Sequence, residues 1–383
     1  MVLVIATIIK FIAFPLTFVL LWASLLTLLE RRQSAYSQDR YGPTRAHFFT
    51  FRGKPVVWGG VFHIVADALK MFFKETTEPD IADKQLFRLA PMVGFVTSMV
   101  ILALIPFGPD VATRWGVIPL QIARVDAGIL LIFAVSSMGV YGVTLAGWAS
   151  NSRYALLGGL RAAAQMVSYE IALGLTVVGV LIAYGATELS AIVDAQSGLS
   201  HGFLPHWGLF VQPFGATLFF VAAMAETKRA PFDMPEGESE IIGYFLEYSS
   251  MNFSLFMLTE FIEVTILAAL FTTLFLGGWQ LPWVIGTNSV SLGFVVFEGP
   301  GAVAIAGMLV FAFKVMFMSL FQMQVRWTLP RFRYDQVMNL GWKMLLPLAL
   351  INIFATALFV WWDPTLGLLT HVGIVLIVLL TLV

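Results

Sequence analysis

The sequence predicts an all-α, polytopic membrane protein, and composition and hydropathy together support this. Of the 383 residues, 59% are hydrophobic and only 12% are charged, whereas soluble domains carry about 25% charged residues. Apolar runs of about 20 residues, enough for a helix to cross a hydrocarbon core about 30 Å thick, recur along the chain. The formal net charge of −1 gives no reason to expect a nucleic-acid partner.

The apolar runs predict eight long transmembrane helices and a shorter ninth one at the C-terminus. In chain order they cover residues 3–29, 88–107, 126–147, 162–184, 208–226, 249–277, 301–325, 344–362 and 366–383. The first run is too long for a signal peptide and no small-residue cleavage site follows it. With no soluble domain boundary and no internal repeat, residues 1–383 are predicted to form one integral membrane domain.

The distribution of basic residues predicts the orientation of these helices. Most of the 22 lysines and arginines lie in the loops after the first, third, fifth and seventh spans. Loops enriched in Lys and Arg face the cytoplasm. We therefore expect the N-terminus on the outer, periplasmic side.

The cytoplasmic segment 30–87 contains a predicted amphipathic helix at 56–74. His63, Asp67, Lys70 and Lys74 recur at helical spacing and form one polar stripe, and apolar residues cover the remaining surface. A helix of this kind is expected to lie in the membrane interface.

Among the ionisable residues inside predicted spans, where each costs roughly 2.5–3.5 kcal/mol to insert, four are candidates for function. They are Glu170, Glu260, Glu263 and Lys314. Glu260 and Glu263 share a helix face, and Lys314 is predicted at similar depth and could pair with one of them. A buried ion pair that only fixes helix packing is the alternative interpretation.

The densest acidic segment is the loop 226–248, termed the acidic loop. Its carboxylates are Glu226, Asp233, Glu236, Glu238, Glu240 and Glu247. Pro231 and Pro235 predict irregular backbone here. Crowded carboxylates near a low-dielectric boundary titrate together, with some pKa values raised. This suits proton uptake or a charge-driven switch, although a solvated acidic loop is also compatible with the composition.

Several chemistries find no support in the sequence. With no cysteine, the chain cannot ligate an iron–sulfur cluster through thiolates or form a disulfide. The five histidines show no spacing typical of a metal or haem site, and no phosphate-binding or dinucleotide-binding motif is present. No metal site or redox centre is predicted for this chain.

Four blocks in the predicted cytoplasmic loops together resemble one family. They read ERRQSAYSQDRYGPTR (30–45), GWASNSRYALLGGLRAAAQMVSYE (147–170), AETKRAPFDMPEGESE (225–240) and RWTLPRFRYDQVMNLGWKMLLP (326–347). The blocks are similar to those of the H subunit of bacterial NADH–quinone oxidoreductase, or complex I, the counterpart of mitochondrial NADH dehydrogenase subunit 1. The resemblance covers about residues 1–362.

The resemblance implies a role in quinone reduction coupled to proton translocation. A subunit of this kind forms the membrane part of the quinone chamber and begins a line of acidic residues toward the proton-pumping subunits. Residues matched to proton coupling are Asp233, Glu236, Glu238, Glu240, Glu247, Glu226, Glu170, Glu260 and Lys314. Those matched to the chamber are Glu30, Arg31, Arg32, Arg40, Asp67, Lys70 and Phe232. Arg331, Arg333 and Asp335 are matched to docking of the peripheral arm.

The resemblance also implies the partners, cofactors and location. Quinone is the substrate, and NADH, FMN and iron–sulfur clusters belong to other subunits of the complex, which contact this chain on its cytoplasmic side and within the membrane. The expected location is the bacterial cytoplasmic (inner) membrane.

The chain departs from the family pattern at a few places. It carries an insertion within 41–60, an unusual outer segment at 278–299, the additional span at 366–383 and the additional acid Glu263. The alternative within the superfamily is the equivalent membrane subunit of an energy-converting hydrogenase or a related reductase. A secondary transporter would predict inverted repeats, which we do not find, and a purely structural anchor would leave the intramembrane carboxylates unexplained.

Overall fold

A computed structural model of the chain describes residues 10, 12–51, 54–113, 116–200, 204–237, 241, 243–282, 289–291 and 296–382. The protein is built from helices, with short two-stranded hairpins between some of them. The helices are α1 (Leu20–Ser37), α2 (Phe62–Phe73), α3 (Lys84–Leu104), α4 (Gly128–Ala149), α5 (Arg153–Tyr184), α6 (Leu189–Ala195), α7 (Gly208–Val211), α8 (Pro213–Glu226), α9 (Ser250–Phe275), α10 (Pro300–Thr328), α11 (Tyr334–Asn339), α12 (Leu346–Trp362) and α13 (Gly367–Leu382).

Length and composition confirm a polytopic membrane protein. Among the described residues, six continuous helical runs are long and apolar enough to cross a membrane, namely α3, α4, α5, α9, α10 and the run Tyr334–Trp362. Helices α8 and α13 are apolar but shorter. At 1.5 Å per residue, the 16 residues of α13 extend about 24 Å, less than a hydrocarbon core of about 30 Å. That the C-terminal helix crosses the membrane by itself remains a prediction.

Several helices extend beyond the spans predicted from hydropathy. Helix α5 begins at Arg153 rather than at 162, and the last long run begins at Tyr334 rather than at 344, passing through a π-helical turn at Leu340–Leu345 before α12. Another π-helical segment, Ile12–Val19, leads into α1. Hydropathy detects only the apolar part of a helix, so it assigns polar first turns outside the bilayer to loops.

The predicted fifth span, 208–226, is broken in the structure. Gln212 leaves helical geometry between α7 and α8, and Pro213 begins the new helix, as expected for the residue before a proline. The Gln212 side-chain amide donates to the Gly179 carbonyl at 3.2 Å and to the Thr356 hydroxyl at 2.5 Å. The break is therefore stabilised by α5 and α12.

Four antiparallel hairpins complete the secondary structure of the described residues. They pair β1 (Thr50–Phe51) with β2 (Lys54–Pro55), β3 (Val111–Thr113) with β4 (Gly116–Ile118), β5 (Leu199–Ser200) with β6 (Leu204–Pro205), and β7 (Ser289–Ser291) with β8 (Val296–Glu298). The first hairpin lies in the insertion at 41–60 and the last in the segment 278–299.

The helices pack mainly on their chain neighbours, on α5 and on α9. Helices α3, α4 and α5 pack in sequence, α5 also contacts α8 and α12, and α9 contacts α1, α3 and α10. Glycine allows close packing at the α4–α5 corner, where a Cβ on Gly147 would lie 2.6 Å from the Ala155 carbonyl oxygen. Small residues permit such close approach between membrane helices.

The amphipathic helix begins later than predicted. A short 3₁₀ turn at Trp58–Gly60 precedes α2, and Gly59 and Gly60 have φ of +63° and +94°. Left-handed backbone cannot continue into an α-helix, so the helix is 62–73 rather than 56–74. No residue of α2 is buried, and Leu69, Phe72 and Phe73 are among its exposed apolar side chains. Its location in the membrane interface stays a prediction.

Candidate functional site

A large cavity lies where α1, α2, α9 and the end of α10 meet the acidic loop. Its volume is about 530 Å³, within the range of small-molecule sites. One wall is apolar, formed by residues of α2 and α9 such as Ile64, Met71, Phe253 and Phe261. The charged residues of the lining are Glu30, Arg31, Asp67, Arg229, Glu236, Glu260 and Arg326. The cavity can therefore accept a ligand with both an apolar and a polar part.

Ion pairs bring together several residues predicted for the chamber. Glu30, at the side of the cavity, accepts a hydrogen bond from Arg229 at 2.9 Å and is also paired with Arg326. Arg31 pairs with Asp67 at 2.5 Å and so joins α1 to α2. These contacts connect elements that are distant in sequence around one opening.

Other residues predicted for the chamber are not among the described residues that line it. The Arg32 guanidinium lies against Gly59, and Arg40 donates to Gln38 at 2.6 Å. Lys70 belongs to the exposed surface of α2. Phe232 is buried and packs on Tyr169 and Phe332, with ring centroids 5.9 and 5.3 Å away.

The acidic loop is irregular, as its prolines predict, and is fixed at several points. The side-chain amide of Gln165 on α5 donates to the carbonyls of Ala225 and Phe232 at 2.7 and 2.8 Å. Asp233 pairs with Arg331 at 2.6 Å and accepts from the Glu236 amide at 3.2 Å. Of the remaining predicted acids, Glu238 and Glu240 lie outside the described residues and Glu247 is partly exposed.

Glu236 and Glu260 interact with each other in the wall of the large cavity. The phenol of Tyr244 donates to a Glu260 carboxylate oxygen at 3.3 Å. Burial, together with the carboxylates of Glu260 and Asp233, raises the pKa of Glu236 to about 9. Burial also raises the pKa of Tyr244, which keeps the phenol neutral and able to donate. Glu236 is thus protonated at neutral pH and can release a proton into the cavity.

A second, smaller cavity, termed the inner cavity, lies among α3, α4, α5, α8 and α9. Its volume is about 50 Å³, and its acidic lining residues are Glu170, Glu226 and Glu263. Glu170 accepts from the hydroxyls of Ser136 and Ser137 at 2.9 and 2.5 Å. Five predicted or candidate acids therefore form two groups, Glu236 with Glu260 at the large cavity and the other three at the inner one.

Comparison with known proteins identifies the family. A family model described as NADH dehydrogenase matches residues 9–357. The chain belongs to this family. It is 44% identical to the second H subunit of NADH-quinone oxidoreductase from Syntrophobacter fumaroxidans, over 91% of this chain and 94% of that protein. It is 41% identical to the H subunit of NADH-quinone oxidoreductase from Syntrophotalea carbinolica, over 90% and 93%.

A further relative is the first H subunit of NADH-quinone oxidoreductase from Geobacter metallireducens, 42% identical over 88% of this chain and 92% of that protein. The resemblance seen in the four sequence blocks is thereby confirmed. All residues of the two cavities lie within the part that matches the NADH dehydrogenase family, whereas α13 begins after it.

The predicted pairing of Lys314 with an intramembrane acid is wrong. The Lys314 ammonium donates to the carbonyls of Leu276, Gly278 and Gln280 at 2.7, 3.0 and 2.7 Å, which uses its three donor positions. It also lies 4.2 Å from the centroid of the Trp207 ring. Leu276 follows the last turn of α9, about 24 Å along the helix from Glu260. Lys314 thus caps the C-terminal end of α9, where a cation is favourable.

The residues predicted for docking of other subunits lie at the surface near the acidic loop. Arg333 and Asp335 are 80% and 65% exposed and 4.0 Å apart. Arg331 is partly exposed and holds Asp233. Their contact with another subunit stays a prediction.

Sequence reasoning missed several residues of the site. Three basic residues were used only to predict the orientation of the chain in the membrane, namely Lys228, Arg229 and Arg326. Arg229 and Arg326 pair with Glu30, from which they are about 200 and 300 positions away in the sequence. Glu263 was recognised as an intramembrane acid but not as part of the site. The proximity of Lys228 to Glu226 in sequence was the available signal for a charged partner among the acids. Among the described residues, no group of three metal-ligating side chains is close enough to hold a metal ion.

Proposed function

We propose that this chain forms the membrane part of the quinone chamber of a proton-translocating NADH–quinone oxidoreductase, and that its acidic residues couple quinone reduction to proton movement. The observation that carries the proposal is the large cavity, whose lining combines an apolar wall with Glu236 and Glu260. Names of relatives 40–44% identical, which specify the H subunit of that enzyme, support it.

The shape and lining of the large cavity suit a quinone. Its apolar wall on α2 and α9 can hold an isoprenoid-like tail, and its charged wall can contact the polar ring. The exposed apolar residues of α2 make a surface past which a lipid-soluble ligand can enter from the bilayer. The ring would then lie near Glu30 and Glu236.

The electrons must come from other subunits. The sequence has no cysteine for a cluster, so NADH oxidation, FMN and iron–sulfur clusters are assigned to partners that dock near Arg331, Arg333 and Asp335. Small membrane subunits would contact the chain laterally. The positions of Lys and Arg favour a cytoplasmic location for this docking face and a periplasmic N-terminus in a bacterial inner membrane.

Coupling begins at Glu236. Reduction of a quinone to a quinol consumes protons, and Glu236 holds one at neutral pH because its pKa is raised to about 9. When Glu236 gives its proton to the reduced ring, a new carboxylate forms beside Glu260, buried in the same low-dielectric region. The new carboxylate favours transfer of a proton from Glu260 to Glu236, so the proton deficit passes from the large cavity toward Glu226 and Glu170 at the inner cavity.

The test uses the whole complex purified from native membranes with Glu236→Gln in this chain. We expect NADH-driven quinone reduction and the associated proton translocation to fall by about tenfold, the scale of coupling between two sites. Reduction of an artificial acceptor by NADH should be unchanged, because it does not use the quinone site. Full activity of the variant contradicts the proposal, and quinone reduction driven by hydrogen rather than NADH supports the hydrogenase alternative.

A further inference from the structure

A buried lysine interacts with acids of both groups. Lys228 follows α8 directly, two residues after Glu226, and its side chain is only 4% exposed. Its ammonium lies 3.4 Å from a carboxylate oxygen of Glu263, which is 22% exposed and lines the inner cavity. The carboxylates of Glu260 at the large cavity and of Glu226 at the inner cavity also act electrostatically on this ammonium.

Lys228 is held in this place by its backbone as well. Its φ is +54°, a left-handed value that side-chain-bearing residues rarely adopt. Such backbone persists where surrounding structure determines it, and it is frequent at functional sites. The chain turns here immediately after α8, so that the lysine points back among the acids.

Several carboxylates compete for this one ammonium. Burial alone lowers the pKa of Lys228, but the carboxylates of Glu263, Glu260 and Glu226 outweigh it and raise the pKa above its usual value. The lysine is therefore charged. Glu260 and Glu263 are three residues apart on α9 and share a face, and both carboxylates act electrostatically on this ammonium.

A proton donor for the next step is also present. One carboxylate oxygen of Glu226 is buried and has no hydrogen-bond partner among the described residues. Glu226 and Glu263 line the same inner cavity. Because an unpaired buried charge is costly, such an oxygen favours a protonated carboxyl, which can donate its proton.

We propose that Lys228 and Glu263 form a switchable ion pair that links the two cavities, with the Lys228 ammonium moving between Glu263 and Glu260. When Glu260 loses its proton toward the large cavity, its carboxylate attracts the ammonium. Glu263, released from Lys228, accepts a proton from the Glu226 carboxyl, which becomes a carboxylate. No proton leaves the lysine, which acts as a positioning residue.

This inference rests on the proposed function, and the alternative is an ion pair that only fixes α9 against the acidic loop. Replacing both members of a buried pair by neutral residues is often tolerated, whereas removing one leaves an uncompensated charge. The double variant Lys228→Met/Glu263→Gln therefore separates the two interpretations. Lys228→Arg keeps the charge, and Glu188→Gln is a matched control, since Glu188 pairs with Arg124 elsewhere in the chain.

The experiment measures NADH-driven quinone reduction and proton translocation by the assembled complex in sealed vesicles, with the amount of complex normalised by an artificial acceptor. We expect both rates to fall about five- to tenfold in Glu263→Gln and Lys228→Met, and equally in the double variant. Lys228→Arg should retain most of the activity, and Glu188→Gln all of it.

Recovery of both rates in the double variant would show a structural pair and overturn the inference, as would full activity of the two single variants. Glu236→Gln is measured in the same preparation. If it loses activity while Glu263→Gln and Lys228→Met keep theirs, only this inference fails, whereas a fully active Glu236→Gln complex contradicts the proposed function itself.

Discussion

At the end of the bundle where α5 and α9 terminate, Arg124 and Lys314 have fixed partners. Arg124 is held by Glu188 and Asp110, and Lys314 by three carbonyl oxygens. At the opposite end, around the acidic loop, carboxylates compete for fewer cations, and Lys228 is influenced by three acids at once. A charge whose hydrogen-bonding positions are all occupied holds helices in place. Carboxylates that share one ammonium, as around Lys228, can exchange it.

The largest contrast between the two ends is expected from removing one carboxylate at each. Glu226→Gln should lower proton translocation by the complex about tenfold or more, because it removes an acid of the inner cavity. Glu188→Gln should change it less than about twofold, since it only breaks a partly exposed ion pair. The rate of proton translocation is measured for both variants in sealed vesicles. Equal losses in Glu226→Gln and Glu188→Gln would contradict the difference between the two ends of the bundle.

The raised pKa of Glu236 predicts a pH dependence at the acidic-loop end. Because the pKa in the folded protein is about 9, Glu236 loses its proton as the pH rises through 9, and quinone reduction should fall over that interval. A raised carboxyl pKa also means that folding stability falls between pH values of about 4.5 and 9, where only the unfolded state is deprotonated. Rate and thermal unfolding profiles from pH 5 to 10 check both effects. Glu236→Gln should flatten them, and unchanged profiles would contradict the assignment.

Lys314→Met tests whether Lys314, at the end of the bundle away from the acidic loop, has a structural role. If Lys314 caps α9, its loss should destabilise the protein by about 2 kcal/mol, because it leaves carbonyls without a charged donor. The ratio of protons translocated to quinone reduced should stay unchanged. A thermal melt of the complex and a translocation assay test this together. A lower ratio with unchanged stability would instead support the proton-coupling role that the family resemblance implies.

The smallest effect is expected at the pair between Arg31 and Asp67. Both side chains are well exposed, at 51% and 39%, so the pair contributes less than about 1 kcal/mol to stability. Arg31→Gln should nevertheless raise the KM for quinone a few-fold, since the pair borders the large cavity. Steady-state kinetics measure the KM, and the pair Arg88 and Glu78, which does not line the cavity, serves as the control. The same KM change in Arg88→Gln would argue against a role at the opening.

Much of the fold could be predicted because the bilayer imposes a simple length and hydropathy requirement. The helical regions and the irregular acidic loop were found from apolar runs and from Pro231 and Pro235. The break at Gln212 was missed because it is stabilised by residues of α5 and α12 that hydropathy does not connect to it. The start of α2 was missed because it depends on the left-handed backbone of two glycines.

The site was predictable as a set of residue types but not as a set of pairs. The cost of burying Glu170, Glu260 and Glu263 marked them as candidates. The basic partner of these acids depends on tertiary structure. The similar predicted depth of Lys314 suggested that this lysine was the partner, which is wrong. The structure instead brings Lys228 to Glu263, through a turn whose geometry the sequence does not specify.

The central claim is that Glu260, in the wall of the large cavity, passes protons between that cavity and the acids of the inner one. Its most direct test is the Glu260→Gln complex in sealed vesicles, with NADH-driven quinone reduction and proton translocation measured on the same sample. The account predicts that translocation falls about tenfold while NADH still reduces an artificial acceptor at the normal rate. Normal translocation at a normal rate of quinone reduction would contradict it.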